Sequence, residues 1–341
     1  FKGSLLSMAL RRPCFGRVPL EHPCRTVMLR AVSLFNQTRR AFPATTRGLS
    51  VIQAYSTFYL FSSALAAGTI SVLPFVPAKV FGRRFFLLIA LISIVFYVMA
   101  LIGRGLGTEP LYLAAGGLLV LYQITLPPGS GANSSPPGLK PEDTSPGGLL
   151  GRLSAVFLYL AICAGWAGII REAWGSSLSY PVNAGLPYSD SFQPGLLFNA
   201  ATSTLLLGFS LGAMILGHWY LVSSKLSFGP LKRLTGLLCI AVFLRLASSL
   251  YCMFSQGEFW RESFGRGATD FLLAEGLFGL FVSCRFILGI LLPAVLAILA
   301  WRCARIRSNQ SATGILYVLV AFVFFGEILS KHFLANRGLG L

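Results

Sequence analysis

Charge is what this 341-residue sequence has least of. Asp, Glu, Lys and Arg make up 11% of it, against about a quarter in an ordinary soluble domain. Acidic residues are the scarcest, 11 in all, and histidine occurs three times. No two of the seven cysteines (Cys14, Cys24, Cys163, Cys239, Cys252, Cys284 and Cys303) form a CxxC pair. That leaves no disulfide framework, zinc site, iron–sulfur site or haem-attachment motif, so no metal is expected. There is no HExxH, no convincing Ser/His/Asp arrangement and no carboxylate pair in a water-accessible loop, and therefore no catalytic residue to name. The shortage of charge excludes a soluble globular enzyme, a disordered tail and a fibrous repeat.

What the sequence has in abundance is apolar length. Hydrophobic residues are 55% of the chain and the mean hydropathy is +0.72. Apolar runs occupy about 57–78, 85–103, 111–127, 153–170, 196–221, 234–254, 270–301 and 312–333. A membrane span takes ~20 residues at ~1.5 Å rise each. The expected fold is therefore all-α, a polytopic transmembrane bundle of about eight membrane-spanning helices embedded in a lipid bilayer. Pro74 and Pro77 mark the end of the first run, and Pro293 marks a kink in the long seventh.

The chain divides by composition into five parts. Residues 1–50 form a basic, acid-poor segment with eight arginines and Glu21. Such a segment reads as a leader, in the manner of a mitochondrial transit peptide, or as a cytoplasmic or interfacial tail. A three-helix membrane part follows at 51–127, a Pro/Gly/Ser linker at 128–152, a five-helix membrane part at 153–334 and a short tail at 335–341. The net charge of +17 sits in the first segment and in short loops, where it meets anionic headgroups; nucleic acid is not an expected partner. Call the face on which the first span begins side A and the opposite face side B. Loop arginines and lysines concentrate on side B, which favours B as the cytoplasmic face, whereas counting the basic segment 1–50 reverses the preference. B inside is the expectation, because several loops agree independently. The expected location is a bacterial inner membrane, with the mitochondrial inner membrane as the alternative. The loops at 171–195 and 255–269 are then the longest on side A.

Ionisable groups inside a bilayer are costly, so each marks a candidate site. Four stand out: Arg245, Glu275, Arg285 and Glu327. Arg245 follows Arg233 by 12 residues and lies ~18 Å from side B. Arg285 precedes Arg302 by 17 residues, ~25 Å from B. Glu327 follows Ser311 by 16 residues, ~24 Å from B. The matching depth of Arg285 and Glu327 leads us to expect an ion pair between the last two spans, serving either as a lock or as a proton or quinone-headgroup site. Glu275, flanked by Gly276 and Gly279, lies nearer side A, either snorkelling to the interface or at the outer end of a proton path. His218, beside Trp219 and Tyr220, fits an interfacial aromatic belt or a hydrogen bond to a quinone carbonyl or lipid headgroup. It ends the fifth span on side B, whereas His332 ends the eighth on side A, so the two cannot ligate one haem. Gly208 and Gly212 form a GxxxG step in the fifth span. With Asn199, Thr202, Ser203, Thr204 and Ser210 beside them, that span is expected to face the protein interior.

The stretches CRFILGILLPAVLAILAW and SATGILYVLVAFVFFGEILSKHF place an arginine one turn before Gly289, then Pro293, then Gly326–Glu327 in the last span. About 60 residues here resemble the polysulfide-reductase/NrfD and DMSO-reductase membrane anchors; the GHWYLV…GPLKRL stretch is also similar to bacterial membrane proteins with no assigned function. The first resemblance implies an eight- or nine-helix subunit that exchanges electrons with a quinone without haem, beside other membrane or peripheral subunits, with Arg285 and Glu327 at its site. No covalently bound cofactor is expected, only quinone and lipids. Two other readings compete: a secondary transporter or channel that uses the buried Arg and Glu residues, and a structural or assembly subunit in which each buried charge is paired and dry.

Overall fold

In lipid, every backbone N–H and C=O must find its partner within the segment, which for an isolated run means a helix. The computed structural model describes residues 46–78, 81–104, 109–127, 148–183, 192–222, 229–255, 277–337 and 340–341. Among the described residues all regular structure is helical: α1 (Thr46–Ile70), α2 (Arg83–Arg104), α3 (Pro110–Thr125), α4 (Leu149–Asn183), α5 (Phe192–Val222), α6 (Gly229–Ser255), α7 (Leu277–Phe286), α8 (Leu292–Arg305) and α9 (Asn309–Arg337). A 3-10 turn, Leu73–Phe75, follows α1, and a π turn, Ile287–Leu291, joins α7 to α8 as one span. The chain separates into two units, Phe1–Val51 and Ile52–Leu341. Apart from the start of α1, residues 1–50 lie outside the described residues, as do most of the 128–152 linker and Glu275.

Seven of the eight apolar runs form helices long and apolar enough to cross a membrane. The third, α3, has 16 residues. At ~1.5 Å per residue it reaches ~24 Å, short of a hydrocarbon core of ~30 Å. The expected side-A loop at 171–195 is largely absent, because α4 continues as helix to Asn183. An apolar run marks the lipid-facing part of a helix, and Arg171, Glu172, Ala173 and Trp174 carry no helix-breaking chemistry that would stop it there.

Close packing follows the small residues. Gly208 of α5 lies against Gly68 of α1 so tightly that a Cβ on either would overlap the other backbone, and a Cβ on Gly212 would sit 2.8 Å from Val72. The GxxxG step is thus a contact between the first and fifth spans. These two are also the most buried spans, 72% and 67% of their central windows. The sequence reading marked the fifth alone, although α1 carries Ser56, Thr57, Ser62, Ser63 and Thr69 in the same way. Several buried hydroxyls satisfy themselves within their own helices: Thr69 donates to the Leu65 carbonyl at 2.6 Å, Thr204 to Ala200 at 2.8 Å and Thr235 to Leu231 at 2.9 Å. Such back-bonding removes the cost of an unpaired hydroxyl in lipid. The α8–α9 reversal is a Schellman turn, in which Ser308 N–H bonds the Cys303 carbonyl at 3.0 Å. Arg307 takes the left-handed position at φ 61°, which glycine ordinarily fills.

The parity of the fold rests on α3. If it crosses the bilayer, Ala78 and Gly148 lie on one face; if it does not, they lie on opposite faces. Cysteines introduced at both exposed positions in a cysteine-free background are expected to react from the same side with an impermeant maleimide. Reaction from opposite sides would show that α3 does not cross.

Candidate functional site

Four helices bring their polar residues to one point. Glu327 of α9 is fully buried, and so are Arg245 of α6 and Arg285 of α7. Arg245 grips the carboxylate with two bonds, Nε to Oε1 at 2.8 Å and Nη2 to Oε2 at 3.2 Å. Arg285 adds Nη2 to Oε1 at 3.1 Å. Ser203 of α5 donates to Oε2 at 2.6 Å. The carboxylate thus accepts four hydrogen bonds, three of them from guanidiniums, the strong charge-assisted kind.

Each remaining guanidinium nitrogen also has an acceptor. Arg245 Nη1 reaches the Asn199 carbonyl and Ser248 Oγ, both at 3.4 Å, and its Nη2 reaches Ser330 Oγ at 2.8 Å. Arg285 Nη1 donates to the Gly289 carbonyl at 3.3 Å. That carbonyl is open for a specific reason. Proline has no N–H, so Pro293 cannot close the helical bond to the residue four before it, and the ladder widens there into the π turn. The freed oxygen faces the guanidinium one turn earlier. Gly289 lies directly against Gly326, where an added Cβ would come within 2.6 Å of the facing Cα. A side chain at either glycine would push α7 away from α9 and Arg285 away from Glu327.

Two residues that sequence reasoning did not connect to the site reach it from the far end of the chain. The Leu341 carbonyl oxygen accepts from Arg245 Nη2 at 3.1 Å, from Arg285 Nε at 3.4 Å and from Ser330 Oγ. The Gly340 carbonyl accepts from Asn199 Nδ2 at 3.0 Å. Nothing in the sequence signals this, since Gly340 and Leu341 carry no functional group beyond their backbone. Arg245 was marked as a buried charge but not joined to Glu327, because its depth differs by ~6 Å, four residues at ~1.5 Å. Depths read along a helix axis locate Cα atoms, and one long arginine side chain covers that gap. Ser330, three residues after Glu327, and Ser203, four after Asn199, share helix faces with the site, a spacing that could have found them.

A second polar group lies one turn further along α9. Lys331 is buried and lines a small cavity of about 20 Å³ with Glu172 of α4 and Thr204 of α5. Tyr112 Oη donates to Glu172 at 2.8 Å and Ser63 Oγ to the same oxygen at 3.4 Å. The cavity has room for one water beside Glu172, Thr204 and Lys331, between otherwise apolar walls. Arg171 and Glu109 form an ion pair beside this cluster, at the side-A end of α4. His218 is elsewhere: it is exposed, and its Nδ1 lies 2.9 Å from Tyr317 Oη. The structure therefore brings Arg245, Arg285 and Glu327 together and leaves His218 outside. No cluster of His, Cys, Asp and Glu suited to a metal occurs among the described residues.

A three-membered centre behaves differently from a pair. Glu327→Gln leaves two guanidiniums without a side-chain counter-ion and is expected to destabilise by about 3–5 kcal/mol. Arg285→Gln should cost least, because the two-bond Arg245–Glu327 pair remains, and Arg245→Gln should fall between. The Arg285→Gln/Glu327→Gln double variant should stay destabilised, since Arg245 is then alone. Thermal unfolding of the purified variants in detergent checks the order. Full recovery in that double variant would show that Arg245 contributes nothing.

The sequence and the fold identify a multi-pass integral membrane protein with a buried, four-helix charge centre. Comparison of the chain with family models, curated proteins and solved structures finds no match.

Proposed function

We propose that this membrane protein holds an anionic, carboxylate-bearing group at the Arg245–Arg285 centre and acts as an occluded carrier for such a group. One observation carries this reading: three donors from two cations and a serine converge on a single acceptor, the Leu341 carbonyl oxygen. Two guanidiniums there face one side-chain carboxylate. A carboxylate in the position of that oxygen would meet the same three donors, two of them charge-assisted. Glu327 fixes both guanidiniums in place, and the Leu341 carbonyl occupies the acceptor position. The π turn and Pro293 beside Arg285 support the same reading, because carriers place broken helices at buried substrate sites.

The haem-free quinone subunit remains the second reading, since the same donors suit a quinone carbonyl. It brings with it the other membrane or peripheral subunits expected of a redox complex. The third reading, a structural lock, draws on the full pairing of the centre. A thermal-shift series on the purified protein separates the three. Acetate and succinate are expected to raise Tm in proportion to log concentration once saturating, and Arg285→Gln should abolish the shift. A shift with a short-chain ubiquinone but with neither carboxylate would favour the redox subunit. No shift with any of them would leave a lock.

A further inference from the structure

On side B, away from the charge centre, the spans leave a lateral groove of about 1020 Å³ between α6, α8 and the 3-10 turn after α1. Its lining changes character along its length. Lys232 and Arg233, both exposed in the first turns of α6, stand at the membrane-surface end. Leu237, Ile240 and Phe243 continue down the same helix, with Ile298 of α8 opposite. Among the described residues, no Asp or Glu lines the groove. From Lys232 to Phe243 is 11 residues, a rise of ~16 Å. That is about half of a ~30 Å hydrocarbon core, the depth of one leaflet.

The opening has a local cause. Gly236 has no side chain to fill the space beside Trp301, whose indole would lie 3.6 Å from a Cβ placed there. Trp301 is itself held by Arg305, whose guanidinium stacks 4.9 Å from the ring. Tryptophan at this level belongs to the aromatic belt at the headgroup boundary. Two cations, a belt tryptophan and an apolar trough one leaflet deep match the three zones of a lipid: phosphate, glycerol backbone and acyl chain.

We infer that this groove is a binding site for an anionic phospholipid, with Lys232 and Arg233 on its phosphate and an acyl chain along Leu237, Ile240 and Phe243. Charge selects the class of occupant. A zwitterionic lipid offers the same chain but no net charge for two cations with no acidic neighbour in the groove. Basic pockets between spans hold anionic headgroups in this way, and the cytoplasmic leaflet, where side B is expected, is rich in them. Lys232 and Arg233 together should give roughly a thirtyfold preference for an anionic over a zwitterionic headgroup.

The full chain, purified in mild detergent and exchanged into nanodiscs of mixed phosphatidylglycerol and phosphatidylcholine, tests this by native mass spectrometry of the lipids retained on release. Phosphatidylglycerol should be retained in preference, and Lys232→Gln/Arg233→Gln should bring the preference close to one. Both residues are exposed, so the fold should survive, and an unchanged Tm verifies that. Arg84→Gln/Arg152→Gln, which removes two exposed charges from the same face outside the groove, should keep the preference. Inorganic phosphate at millimolar concentration should not displace the lipid. Equal retention of the two lipids, an undiminished preference in the Lys232/Arg233 variant, or displacement by phosphate alone would each overturn the proposal.

Discussion

A carboxylate buried among membrane helices is tolerable only if its partners come to it, and Glu327 has made its surroundings conform to that requirement. α6 contributes Arg245, α7 contributes Arg285 and α5 contributes Ser203, so one side chain fixes the relative depth and rotation of four spans. Helices in lipid have no hydrophobic force to press them together, and association depends on packing and on contacts of this kind. The glycines are subordinate to the same constraint. Gly289 and Gly326 let α7 and α9 approach until Arg285 reaches the carboxylate. Pro293 then frees the Gly289 carbonyl, and that oxygen takes up one of the guanidinium's remaining donors. Ion pair, π turn and glycine contact form one arrangement.

The all-helical architecture was legible because lipid permits so few alternatives: runs of apolar residues of span length can only be helices. Their ends were less legible. α4 outruns its apolar run, since hydropathy measures where lipid is and says little about where a helix stops. The charge centre was visible in part for a similar reason. Arg285 and Glu327 stand out in apolar sequence and share a depth, so simple rise arithmetic brings them together. Arg245 stands out equally but differs in depth by ~6 Å, and Cα arithmetic cannot see the reach of a guanidinium. Gly340 and Leu341 were invisible, because they act through backbone carbonyls that every residue possesses.

The charge centre and the groove on side B divide the molecule's polar chemistry into two zones with opposite relations to water. At the centre, buried donors converge on the Glu327 carboxylate and the Leu341 oxygen, and a cavity with room for one water sits nearby between Lys331 and Glu172. In the groove, Lys232 and Arg233 are exposed at the surface and no acidic side chain among the described residues lines it. The first zone holds charge by pairing within the chain, and the second leaves charge for something outside it. Their separation means that substitutions in one should leave the other intact, which makes the two independently testable.

The most direct test of the central claim is an experimental density map of the protein in a lipid nanodisc, at a resolution that separates side chains. It should show the guanidiniums of Arg245 and Arg285 both on the Glu327 carboxylate, with Ser203 on its second oxygen. A compact acceptor, the Leu341 carbonyl or a bound anion, should lie between the two arginines. A map in which either arginine points into lipid, or in which Glu327 lies on a face away from α6 and α7, would contradict the account.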